Sequence, residues 1–80
     1  MNELGRHGTA VRGLVDAVWY TTVLIGKQIK VAREEAGLTQ IQLARLARVR
    51  PETLSRIENG RGNPTVGIVG RIARALERSA

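Results

Sequence analysis

From Gly26 onward, apolar positions recur with helical spacing between recognisable caps. Ile25, Ile29 and Ala32 share one face of the segment Gly26 to Ala36, while Lys27, Lys30, Glu34 and Glu35 lie elsewhere, the pattern of an amphipathic helix. Gly37 suits the left-handed position that ends such a helix. Thr39 is an N-cap for a second helix, Gln40 to Ala47, with Leu43, Ala44 and Ala47 as its inner stripe. Arg48-Val49-Arg50 leaves room only for a tight turn. Pro51 then suits the first position of a third helix, where its missing N–H would be unpaired anyway. That helix runs to about Asn59, with Leu54 and Ile57 inward and Glu52, Thr53 and Arg56 outward, and Gly60 stops it. Asn59 to Pro64 is loop by composition. Thr65 caps a last helix, Val66 to Arg78, whose expected buried stripe is Val66, Val69, Ile72, Ala73 and Leu76. Gly67 and Gly70 inside it read as a weakened helix or as a close helix approach.

Before Gly26 the signals conflict. Val11, Leu14, Val15, Val18 and Trp19 have helical spacing, whereas the residues from Trp19 to Ile25 favour strands. The spacing predicts a helix over Ala10 to Trp19, preceded by a disordered Met1 to Thr9. The expected architecture is all-α: a compact four- to five-helix domain over residues 25–80, with an extra apolar helix or arm over residues 1–24 for dimer or partner contact.

Eighty residues make one small domain at most. Without cysteine there is no disulfide framework, thiolate metal site or thiol nucleophile, and an intracellular, cytoplasmic setting fits best. The stretch Ala10 to Ile25 is interrupted by Arg12, Gly13 and Asp16, so it is not a membrane span, and the polar start lacks the order of a signal peptide. The net charge of +6 comes mainly from arginine, the cation suited to phosphate and base edges, and points to a polyanionic partner.

Two short helices joined by a three-residue turn, the second exposing polar residues near its start, match the geometry of a DNA-reading helix-turn-helix spanning Thr39 to Gly60. The run from Ile29 to Gln40 (IKVAREEAGLTQ), then Leu43-Ala44, then Thr53 to Gly60 (TLSRIENG), then Asn63-Pro64-Thr65, closely resembles the phage repressor-like (XRE-type) helix-turn-helix family, and the likeness covers Ile25 to about Arg78.

The resemblance implies a set of DNA-contacting positions: Thr39, Gln40, Arg50, Pro51, Glu52, Thr53, Arg56, Asn59, Arg61 and Asn63. Gln40 looks like the family's phosphate-contacting glutamine, at a helix start whose free N–H groups favour an anion. Asn59, Arg61 and Asn63 match the loop that follows the backbone after the recognition helix, although the two asparagines also serve as turn formers. Base reading falls to Pro51, Glu52, Thr53 and Arg56, with Arg56 able to offer guanine a bidentate donor pair. Glu52 either accepts from a cytosine amino group or orients Arg56 through an i, i+4 salt bridge. Pro51 offers only apolar contact. Arg50 stands where relatives usually have a hydroxyl N-cap, exchanging a cap for a phosphate contact. Arg48 replaces a frequent turn glycine and is strained if it is left-handed. Arg33 and Glu58 match positions that often form a structural ion pair between the first helix and the end of the recognition helix.

Catalysis has little support: His7 is the lone histidine, and no metal site, cofactor or small-molecule substrate is expected. The expected function is a DNA-binding transcriptional regulator, a repressor acting as a homodimer and encoded by a bacterium or phage. The rival is an antitoxin that binds a toxin protein through the apolar stretch Val11 to Ile25, where the only Trp and Tyr lie, while still binding DNA.

Overall fold

A computed structural model describes the backbone of residues 2–79 and the side chains of residues 10–79. Four helices follow one another: α1 (Asn2–Glu35), α2 (Gln40–Ala47), α3 (Pro51–Glu58) and α4 (Val66–Ser79). The helical part of the expectation holds, and the elements from Gln40 onward fall within a residue or so of the predicted limits.

The first helix differs. Periodicity predicts one helix ending at Trp19 and another beginning at Gly26, but α1 is continuous over 34 residues and begins at Asn2, within the stretch expected to be disordered. The side chain of His7 lies outside the described residues. Helix propensities differ by at most about 0.7 kcal/mol per ordinary residue, so the strand-prone run from Trp19 to Ile25 yields to packing. Ile25 packs against the core, and Val23 lies against Gly60. The Thr22 hydroxyl returns to the Val18 carbonyl at 2.9 Å, satisfying itself within the helix. Gly26, which reads as a helix start in the sequence, is instead a contact point in mid-helix. A methyl built on it would overlap the Ile57 carbonyl oxygen, so the end of α3 approaches α1 closely only because no side chain intervenes.

Caps set the remaining limits. Gly37 is left-handed (φ 72°), and the Leu38 N–H donates to the Arg33 carbonyl at 3.1 Å, closing α1. Thr39 and Gln42 form a reciprocal capping box at the start of α2. Arg48 is left-handed as well (φ 58°), the sole non-glycine with positive φ among the described residues, and Val49 N–H donates to Ala44 carbonyl at 2.9 Å behind it. Pro51 opens α3, and Arg50 precedes it without any side-chain capping bond. The Thr65 hydroxyl accepts from Ile68 N–H at 3.1 Å and starts α4.

Ile29, Leu43, Ala44, Ala47, Leu54, Ile57, Ile72 and Ala75 form the core, flanked by Ile25, Leu38, Val49, Ile68 and Leu76. The inner stripe of α4 is therefore rotated from the predicted one. Ile68, Ile72, Ala75 and Leu76 face inward, Ala73 is exposed, and Val66 is 90% exposed. The face that α4 turns inward is the one that meets α2 and α1. Gly67 and Gly70 make no close approach within the chain.

One polar cluster lies against this core. The Glu58 side chain, 1% exposed, accepts from Arg33 Nε at 2.7 Å and Nη2 at 3.1 Å, and from Gln40 Nε2 at 2.9 Å. Arg33 Nη1 also donates to the Leu38 carbonyl at 2.8 Å. The hydrogen bonds to Glu58 hold the Arg33 guanidinium above its ordinary pKa, against the desolvation that works the other way. Among the described residues no buried side-chain polar atom lacks a partner.

Glu58→Ala leaves Arg33 and Gln40 without their acceptor and is expected to lower unfolding free energy by about 3 kcal/mol, with Glu58→Gln costing less, as read by urea denaturation. Gly26→Ala should cost about 2 kcal/mol in the same measurement, because α3 has to move off α1. Arg48→Gly should instead raise stability by up to about 1 kcal/mol, since relief of the left-handed backbone exceeds the added unfolded-state entropy.

Candidate nucleic-acid interface

α3 is anchored by its inner face and free on its outer one. Leu54, Ile57 and Glu58 are buried, whereas Pro51, Glu52 and Arg56 are exposed and Thr53 is half-buried. Glu58 is tied to α1 and to the first residue of α2, and these bonds orient the outward face of α3 relative to both. The C-terminal end is closed by Gly60 (φ 74°) with Arg61 N–H donating to the Arg56 carbonyl at 2.8 Å.

Four of the expected site residues gather around one groove, and three more stand exposed at the other end of α3. Thr53, Arg56, Arg61 and Asn63 line a groove of about 170 Å³ between α3 and the following loop, with Ile57, Pro64 and Ile68 at its back. At the other end of α3, Arg50, Pro51 and Glu52 stand exposed beside the turn that carries Arg48. Asn59 is exposed at the C-cap of α3. Gly62 (φ 79°) lets the loop run alongside the Arg56 stem; a Cβ there would lie 4.0 Å from Arg56 Cβ and Cδ. That neighbour is absent from the sequence-based list, although the alternation Gly60-Arg61-Gly62 was the available signal.

Thr39 and Gln40 are already engaged in the fold. The Thr39 hydroxyl accepts from Gln42 N–H at 3.1 Å, and Gln40 is half-buried against Glu58. Each retains a donor: the hydroxyl hydrogen of Thr39 and a second amide hydrogen of Gln40. Gln40 thus joins positioning to any external contact, a bracing role absent from its reading as a phosphate-contacting glutamine.

The alternatives for Glu52 also separate. Among the described residues the ion pairs within 4 Å are Arg33–Glu34 and Arg33–Glu58, so no Glu52–Arg56 salt bridge orients Arg56. The Arg56 guanidinium has no protein partner among the described residues. Between residues 45 and 61, five arginines (Arg45, Arg48, Arg50, Arg56 and Arg61) face one uncompensated carboxylate, Glu52, because Glu58 is neutralised internally. This is a positive field over a protruding helix. Among the described residues no group of three or more metal-ligating side chains occurs, and no helix is long and apolar enough to cross a membrane.

Comparison with known proteins agrees with this geometry. The profile of the helix-turn-helix family matches residues 29–80. The chain is 40% identical over 52 residues to an immunity repressor protein of Bacillus phage phi105, covering 65% of this chain and 36% of that protein. It is 44% identical over 50 residues to an HTH-type transcriptional regulator of Methanothermobacter thermautotrophicus, covering 62% of this chain and 72% of the relative. It is also 36% identical over 55 residues to endothelial differentiation-related factor 1 of Homo sapiens, covering 69% of this chain but 37% of that protein, so it spans only about a third of the length of several relatives. No solved structure matches significantly. The anchored α3, its capped partner α2 and the matched span agree: the chain belongs to the repressor-like, XRE-type helix-turn-helix family of DNA-binding regulators.

Proposed function

We propose that this protein is a sequence-specific transcriptional regulator, acting as a repressor, that binds double-stranded DNA as a homodimer with α3 in the major groove. The observation that carries this reading is the unpaired Arg56 on the exposed face of a helix whose opposite face is clamped by Leu54, Ile57 and Glu58. A free guanidinium on a rigid helix meets guanine without first breaking an internal ion pair.

The remaining positions divide by chemistry. Arg50, Arg61, Asn63 and the start of α2 with Thr39 and Gln40 hold phosphates, fixing register without reading sequence. Arg56, Thr53 and Glu52 face base edges, Pro51 offers an apolar surface to a thymine methyl, and Asn59 closes the contact at the end of the helix. Glu52 approaches a cytosine amino group, the one base-edge partner that compensates a carboxylate among phosphates. Similarity to the immunity repressor protein of Bacillus phage phi105 supports a repressor role.

The exposed apolar face of α1 supports a second reading in which a toxin protein also binds and this chain serves as its antitoxin. An adjacent toxin gene and stoichiometric co-purification are its signature, and DNA binding persists in it.

Selection from random duplex pools gives the operator. On that operator Arg56→Ala should reduce discrimination at one base pair by about 10- to 100-fold while leaving non-specific affinity nearly unchanged. Arg61→Ala should weaken binding to all duplexes and reduce the slope of log affinity against log salt by about 1. Wild-type protein with no preference over random duplex at physiological salt overturns the reading.

A further inference from the structure

The N-terminal half of α1 presents an apolar seam that the chain itself leaves uncovered. Val11, Val15, Val18, Thr22, Ile25 and Ile29 are spaced alternately by four and three residues, the repeat of a helix seam that packs against another helix. In the C-terminal half this seam meets the core through Ile25 and Ile29. In the N-terminal half the same seam is bare: Val11, Val15 and Val18 are 45%, 57% and 53% exposed, with Leu14 at its edge 65% exposed. The seam then runs into a groove of about 380 Å³, walled by Val18, Thr22 and Ile25 on one side and by Pro64, Val66 and Val69 on the other. The otherwise unexplained exposure of Val66 belongs to this groove.

We propose that the seam is covered by the α1 of a second copy of this chain, running antiparallel about a two-fold axis near residues 14 and 15, with the first turns of the partner's helix lying along the groove beside Val66. Three observations select this occupant and direction.

The first is charge. An antiparallel pair centred there carries Arg12 and Asp16 of both copies on one side of the pair, with Arg12 of each level with Asp16 of the other, whereas in a parallel pair the two copies of these residues point to opposite sides of the seam and gain no such partner.

The second is steric. A parallel partner would be carried along the seam to Ile25 and Ile29, where each chain's own core already occupies it. An antiparallel partner places its globular part at the opposite end.

The third is spacing, and it rests on the DNA-binding reading above. α3 reaches α1 at Gly26, about 17 Å of helix from the axis at 1.5 Å per residue. The two α1–α3 contact points therefore lie about 34 Å apart along the pair, close to one turn of B-DNA. Val23 and Gly26, which face α3 and its cap, lie about a quarter turn around α1 from the seam at 3.6 residues per turn. An axis perpendicular to the paired helices consequently brings both α3 helices to the same side of the dimer, where a single duplex runs.

The test is the sedimentation of the full chain without DNA, at low micromolar concentration. A dimer is expected, with Val15→Glu combined with Val18→Glu shifting it to monomer by at least 100-fold in dissociation constant. Because both side chains lie outside the core, circular dichroism should show the cooperative unfolding of α2 to α4 retained. Arg12→Asp should weaken the dimer, and Arg12→Asp combined with Asp16→Arg should restore it. A wild-type monomer, a dimer indifferent to the glutamates, a charge reversal that fails to rescue, or a seam occupied only by a heterologous protein each overturns the inference. A dimer that ignores operator DNA would sink the DNA reading alone, and a monomer that selects an operator would sink the antiparallel pair alone.

Discussion

The buried carboxylate of Glu58 is the constraint on which the rest depends. A charged group with 1% side-chain exposure is tolerated only with compensation, and here both carboxylate oxygens are engaged, by Arg33 from α1 and Gln40 from α2. Arg33 at the same time holds the Leu38 carbonyl in the turn between those helices. Three helices thus converge on one side chain at the end of α3. Apolar packing alone would leave α3 free to roll, since Leu54 and Ile57 are two contacts on a two-turn helix; the directional bonds to Glu58 remove that freedom.

This clamp permits the outward side of the motif to be built for charge rather than stability. Arg50 occupies an N-cap and makes no capping bond, and Arg48 holds a left-handed backbone suited to glycine. Both choices weaken the local structure by on the order of 1 kcal/mol each. Both put a guanidinium beside the protruding helix. The turn of this helix-turn-helix is accordingly more basic and less relaxed than its geometry requires, a compromise of the kind concentrated at functional sites.

α1 joins two tasks in one rod. Its C-terminal half supplies Ile29, Arg33 and the Gly26 contact to the reading unit, while its N-terminal half carries the bare seam. Continuity matters because a rigid helix transmits the position of whatever covers the seam directly to α3, with no hinge between. A break at Gly26, which the sequence pattern suggests, would have uncoupled them.

The local grammar was readable in the amino-acid order alone. Gly37, Thr39, Pro51, Gly60 and Thr65 mark helix limits through backbone angles and caps that involve only near neighbours, and Leu43, Ala44, Ala47, Leu54 and Ile57 declare the inner faces of α2 and α3. The order of motifs pointed to the family, and the arginine-rich span to a candidate interface. Tertiary structure decided what neighbours cannot: that Gly26 is a contact and not a break, that α4 turns Ile68 and Ala75 inward in place of Val66 and Ala73, that Gln40 braces Glu58, and that Arg56 stays free of Glu52. Each of these depends on which surface another helix presents. Helical periodicity records a repeat of 3.6 residues but not the direction in which the partner lies.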